Sequence, residues 1–134
     1  MQNVKIVCRA VICDEQNRLL LIKNSGNTFW CLPGGSLEST DASVQQCLKR
    51  ELHEELGVTA QIGDIAFFQE MHKGDTRYIE LVLKASLIQG ELPTSESIQS
   101  VSDGELEDIR WVNEEALINI DVKPERLRKM ARAA

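Results

Sequence analysis

The sequence predicts an α/β protein, with helices packed on a mixed β-sheet. Three observations lead there. Several short runs are rich in β-branched and apolar residues, few segments read as helix, and neither a repeat nor a linker divides the 134 residues. That length is one domain by the usual size relation, here residues 1–134, and can bury a core without disulfides.

In chain order, residues 4–13 (VKIVCRAVIC) and 18–22 (RLLLI) read as two strands of a hairpin with DEQN between them. NSGNT is a loop, and FWCLPGG brings aromatic bulk into a Pro-Gly-Gly turn. Residues 43–56 read as a helix that Gly57 stops. Strands are expected around 61–70 and 77–88, followed by a long polar loop, QGELPTSESIQSVSDGE. EDIRWVN reads as a strand and NEEALINI as a short helix. KPERLRKMARA reads as a C-terminal helix with Pro124 near its start.

A formal charge of −6 disfavours a nucleic-acid partner, which needs a basic surface. It leaves room for small phosphate ligands whose charge a metal neutralises. No apolar run approaches the roughly 20 residues of a membrane span. The N-terminal segment lacks a signal-peptide layout, since Arg9 interrupts it and Asp14 and Glu15 follow. The expectation is a cytoplasmic protein with no membrane partner. Cys8, Cys13, Cys31 and Cys47 form no CxxC pair and are expected as reduced thiols without zinc.

RELHEELG, residues 50–57, crowds three carboxylates into the predicted helix. At about 100° per residue from Val44, the apolar arc runs from Cys47 near ~300° to Leu56 near ~120°. Glu51 falls near ~340° and Glu55 near ~20°, inside that arc, with Glu54 at its edge. A buried unpaired carboxylate costs several kcal/mol or changes protonation state. Two arrangements remain open at this point. One is a solvated charged face with ion pairs such as Arg50 to Glu54. The other is a cation held between carboxylates, for which all-oxygen donors suit magnesium or manganese.

Residues 34–58, GGSLESTDASVQQCLKRELHEELGV, resemble the Nudix box, the signature of the Nudix hydrolase family and its MutT-like members. Gly35 matches its glycine, and Arg50, Glu51, Leu52, Glu54, Glu55, Gly57 and Val58 match its second half without a gap. Two departures stand out. Asp41 replaces the first glutamate, and eight residues rather than seven separate it from Arg50. The resemblance implies an α/β/α sandwich and hydrolysis of a pyrophosphate bond in a nucleoside diphosphate joined to another group. It implies Mg2+ or Mn2+ as cofactor and a small nucleotide as substrate. Glu51, Glu54, Glu55 and Arg50 would be catalytic. Glu51, Glu54, Glu55, the Gly34 carbonyl and Glu105 would be metal ligands. Asp41 and Gly35 would brace the loop. Arg9, Trp30 and Glu38 are expected to contact substrate, with core, ion-pair or solvated roles as their alternatives.

No proline occurs between Pro33 and Pro93, and Tyr78 lies beyond the position a dinucleoside polyphosphate enzyme would use. Both features shift weight toward a nucleoside di- or triphosphate. The alternatives are an ADP-ribose or nucleotide-sugar pyrophosphatase and a non-catalytic nucleotide-binding module. A homodimer is expected only by analogy with relatives.

Overall fold

The computed structural model describes residues 3–130 of the chain. Among the described residues six strands and four helices follow one another. They are β1 Asn3–Val11, β2 Leu19–Asn24, β3 Gly34–Ser36, α1 Val44–Leu56, β4 Thr59–Lys73, β5 Thr76–Gln89, α2 Ile98–Val101, β6 Leu106–Val112, α3 Glu114–Ile118 and α4 Leu127–Met130. A four-stranded sheet has the order β3-β1-β5-β4, and β2 pairs with β6 in a second sheet of two strands. The larger sheet is mixed: β1 runs parallel to β5 and antiparallel to β3, while β4 and β5 form a long antiparallel hairpin.

Helices cover both faces, because the strands are apolar on both sides. Cys8 and Ala10 of β1, Leu20 and Ile22 of β2, and Leu83 of β5 face one core with Cys47, Leu48, Leu52 and Leu56 of α1. Leu19 and Leu21 of β2, Val82 of β5 and Val112 of β6 face a second core with Leu117 of α3 and Leu127 of α4. Each fully buried leucine contributes about 1.5–3 kcal/mol. Helix α1 forms as its sequence dictates. The Ser43 hydroxyl accepts the Gln46 N–H at 3.1 Å at its start. At its end Gly57 adopts φ 70° and donates its N–H to the His53 carbonyl.

Four expectations are corrected. The first two strands do not form a regular hairpin. Only the turn is shared, through Leu20 N–H to Ile12 C=O at 3.0 Å and an isolated Cys13–Leu19 bridge. Beyond it β1 joins β5 and β2 joins β6, because each strand needs an apolar partner on both faces. The polar loop after β5 contains α2, since Ile98 is completely buried in the first core. The Pro-Gly-Gly turn continues as β3, paired with β1 from Arg9–Gly34 to Val7–Ser36. The C-terminal helix begins at Leu127 rather than near Pro124, and the end of the expected segment lies outside the described residues. Among the described residues no helix is long and apolar enough to cross a membrane.

All four cysteines are free. Burial raises the pKa of Cys8, Cys31 and Cys47, whereas Cys13, though also raised, is exposed. Titration of the native protein with a thiol reagent should therefore modify Cys13 first, and denaturation without reductant should release the other three. Fast native modification of Cys47, or fewer than four thiols after denaturation, would contradict this packing.

Candidate functional site

The site is built where β3 meets α1. Gly34 has φ 149°, and a Cβ there would collide with the Cys8 carbonyl. A Cβ on Gly35 would fall on the carboxyl group of Glu51. The two glycines thus let the backbone of β3 press against β1 on one side and against the Glu51 carboxylate on the other.

Arg50 ties this corner together. Its Nε and Nη2 each donate to Asp41 at 2.9 Å, a bidentate pair, and Nη2 also donates to the Ser36 carbonyl at 3.2 Å. Its Nη1 donates to Glu51 at 3.1 Å and Glu54 at 3.2 Å, and lies 3.8 Å from Glu38. The extra residue in the loop does not separate Asp41 from Arg50. The Asp41 side chain is 5% exposed and also accepts the Glu38 N–H at 2.9 Å. The Arg50 hydrogen bonds hold the Asp41 carboxyl far below its usual range, and Asp41 in turn raises the Arg50 pKa.

Glu51 and Glu55 occupy the inner face of α1, as the helical projection places them. The Glu51 side chain is 13% exposed, Glu55 is 7% exposed, and the two carboxyl groups hydrogen-bond. Burial, then the Glu51 hydrogen bond and charge, push the Glu55 carboxyl up to about 8. Arg9 pulls it down, and Glu105, an exposed residue at the end of the loop before β6, pushes it up. Glu54 is mostly exposed on the Arg50 side.

Among the described residues no three acidic, histidine or cysteine side chains already stand in ligand positions. The donor set nevertheless fits a hard divalent cation. Glu51 and Glu55 lie mostly buried on one face of α1, and the Glu51 carboxyl sits beneath a glycine that leaves room for it. All the donors are oxygens, and the nearest thiol, Cys47, is directed at the Ser36 carbonyl.

Next to this corner lies a cleft of about 200 Å³. Arg9, Phe29, Cys31, Leu32 and Glu80 are among its walls. Arg9 donates to the Leu32 carbonyl at 3.3 Å and lies 3.7 Å from Glu80. The other expected contacts sit elsewhere. Trp30 is 6% exposed in the second core, with the Arg110 guanidinium 4.8 Å from its ring centre. The aromatic on the cleft is instead its neighbour Phe29. Glu38 is exposed beside Arg50. Of the other acids in the loop before Trp111, Glu96 is exposed and Glu107 lies 3.9 Å from Lys23.

Glu80 went unnoticed in the sequence. It is 5% exposed in the middle of β5, and burial raises its pKa. The signal was a carboxylate inside the apolar strand RYIELVL.

The raised Glu55 pKa fixes a sign. The folded metal-free protein holds a proton there more tightly than the unfolded chain, so the contribution of Glu55 to stability is complete below about 4.5 and is lost as pH rises toward about 8. Glu55→Gln removes this titration. Thermal midpoints in chelator should decline across that interval for wild type and less steeply for Glu55→Gln, which should be the more stable protein at the upper end. Parallel curves would show that Glu55 carries no such proton.

The NUDIX domain model matches residues 5–134. Among curated relatives, a MutT-like protein of Streptomyces ambofaciens is 32% identical over 93 residues, 69% of this chain and 58% of that protein. The 8-oxo-dGTP diphosphatase of Proteus vulgaris is 38% identical over 56 residues, 39% of this chain and 49% of that one. The chain spans roughly half to two thirds of the length of the curated relatives it matches first. The solved MutT protein of Methanosarcina mazei superposes with a TM-score of 0.74 at 24% identity, covering 98% of this chain and 93% of that one. The E. coli ORF135 protein gives 0.75 at 21%, covering 98% and 89%. With its domain model, its fold and its glycine–glutamate corner in agreement, the chain belongs to the NUDIX family.

Proposed function

We propose that the protein is a divalent-metal-dependent pyrophosphohydrolase acting on a nucleoside di- or triphosphate. The observation that carries this reading is the pair Glu51 and Glu55 on the inner face of α1, with the Glu51 carboxyl packed against Gly35. The relatives support the substrate class. One is an 8-oxo-dGTP diphosphatase, and another, 38% identical over 48 residues, is an RNA pyrophosphohydrolase of Haemophilus influenzae. A solved ADP-ribose pyrophosphatase of Streptococcus suis shares the fold at 19% identity and keeps that substrate as the alternative.

Magnesium or manganese would be held by Glu51, Glu54, Glu55 and the Gly34 carbonyl, with Glu105 supplied from the loop before β6. When bound, such an ion neutralises phosphate charge and makes water a stronger acid. The chain's own residues do the rest. Asp41 fixes Arg50, and Arg50 fixes the Glu51 carboxylate, so the acidic corner keeps its shape when its proton leaves. Glu54 is exposed and held only at its Arg50 end, which lets it turn toward a ligand. Arg9 lines the cleft, where Glu80 at 3.7 Å balances its charge.

The test is a panel of nucleoside di- and triphosphates, ADP-ribose, nucleotide-sugars and dinucleoside polyphosphates, each with magnesium and with chelator. Hydrolysis is expected only with the metal, and fastest on di- or triphosphates. Glu51→Gln and Glu55→Gln should fold and lose about 100-fold or more in turnover. Turnover in chelator sinks the mechanism, and no turnover on any member favours a non-catalytic binding module. Asp41→Ala is expected to lower kcat by roughly 10–100-fold without touching substrate, because it frees Arg50. An unchanged rate would show that the brace is dispensable.

A further inference from the structure

Helix α1 covers only one end of the sheet face on which it packs. The strand register lays that face out in rungs of directly opposed residues, which point to the same side. Ala10 and Leu83 form a rung at the covered end, and both are completely buried. The next rungs, toward the β4–β5 turn, are Cys8–Leu81–Phe68, Ile6–Ile79–Glu70 and Val4–Arg77–His72. Cover is lost along them. Leu81, Ile6 and Ile79 are half-buried, whereas Phe68 is 63% exposed and Val4 56%. Val4, Ile6 and Leu37 are among the walls of a groove of about 400 Å³ that borders this patch. Arg9 and Glu80 alternate with these residues along β1 and β5, so the cleft they line lies on the opposite face.

The margin of the patch holds charges whose hydrogen-bonding capacity is unused. Glu70 lies 3.7 Å from Arg77 Nε and 3.8 Å from His72 Nε2, both longer than a direct hydrogen bond. Arg77 Nε is shielded from solvent and has no hydrogen-bond partner among the described residues. A carboxylate and a guanidinium thus stand side by side at the edge of an apolar surface, and neither takes up the other's capacity.

We propose that this face is the contact between two copies of the chain, related by a two-fold axis that sets Glu70 of each against Arg77 of the other. The charges select a second copy as the occupant. A partner of one sign would place a like charge against either Glu70 or Arg77. A copy turned about a two-fold axis supplies both counter-charges at once, because such a contact is self-complementary.

The apolar residues obey the same axis. On a flat projection, strands are about 4.8 Å apart and rungs about 6.6 Å apart. The axis that carries Glu70 onto Arg77 then carries Phe68 to within about 3 Å of Val4, and Ile79 to a similar distance from its own counterpart. The two most exposed apolar side chains of the patch therefore cover each other, with Phe68 beside the Val4–Leu37 groove. The sheets cross steeply in this arrangement, as in orthogonal sheet packing. The cleft stays open on the far face, so the contact is independent of the hydrolytic reading.

The test is sedimentation of the full chain over a concentration series, with far-ultraviolet circular dichroism to check that each variant folds. Wild type is expected to pass from monomer to dimer. Phe68→Glu should raise the dimer Kd by about tenfold or more, and Val4→Asp serves if that variant does not fold. Glu70→Arg and Arg77→Glu should each weaken the dimer similarly, since each sets like charges against one another. An equal mixture of those two variants, one of them fluorescently labelled, should associate again, because one chain then brings only basic and the other only acidic groups to the contact. A wild type that stays monomeric throughout the series overturns the proposal. So does a dimer untouched by both Phe68→Glu and Val4→Asp, or a mixture of the charge variants that associates no better than either alone.

Discussion

The guanidinium of Arg50 joins three parts of the chain that would otherwise repel or drift. Through Asp41 and the Ser36 carbonyl it holds the loop after β3, and through Glu51 and Glu54 it holds the acidic face of α1. Without that charge, three carboxylates on neighbouring turns of one helix would push apart, with two of them turned toward apolar surroundings. The brace works because Asp41 is close enough to accept both ends of the fork. The one-residue insertion is absorbed by the polar loop, whose backbone is pinned by the same carboxylate through the Glu38 N–H. A departure from the sequence pattern therefore costs no connectivity, since the chemistry needs two oxygens at the fork and not a particular path to them.

Like charges in this corner are tolerated in an ordered way. Glu55 lies deepest, and it is the group whose protonation shifts, which removes one charge of the pair with Glu51. Asp41 is held by the opposite force and stays ionised. Two acids on neighbouring elements are thus driven in opposite directions by their surroundings, one by burial and one by an arginine.

How much of this was legible in the sequence follows from distance along the chain. The reacting corner lies within Gly34 to Gly57, so its spacing, its helical projection and its end caps could all be read locally. Glu51 and Glu55 declared themselves as carboxylates in an apolar arc. The strand pairing was less legible. The turn at residues 14–17 looks like a hairpin and has one, but the partners that bury β1 and β2 are β5 and β6, far along the chain. Helix α2 was hidden because its one buried residue, Ile98, is surrounded by serines and glutamate in the sequence. Trp30 and Phe29 both offered a stacking face, with core as the alternative for at least one, and the second core holds Trp30.

The cleft is of the opposite kind. Arg9 comes from β1, Phe29 from the segment between β2 and β3, Glu80 from β5, and the parallel pairing of β1 with β5 is what brings the first and last together. In that register Arg9 stands opposite Val82 and Val7 opposite Glu80, so the two charges meet diagonally on one face. No local pattern encodes such a meeting, because each residue reads alone as an odd charge in an apolar strand. Both oddities are explained together once the strands are adjacent: each supplies the counter-charge that lets the other be buried. Both line the same cleft. A local motif thus builds the acidic corner, while the crossing of distant strands builds the cleft.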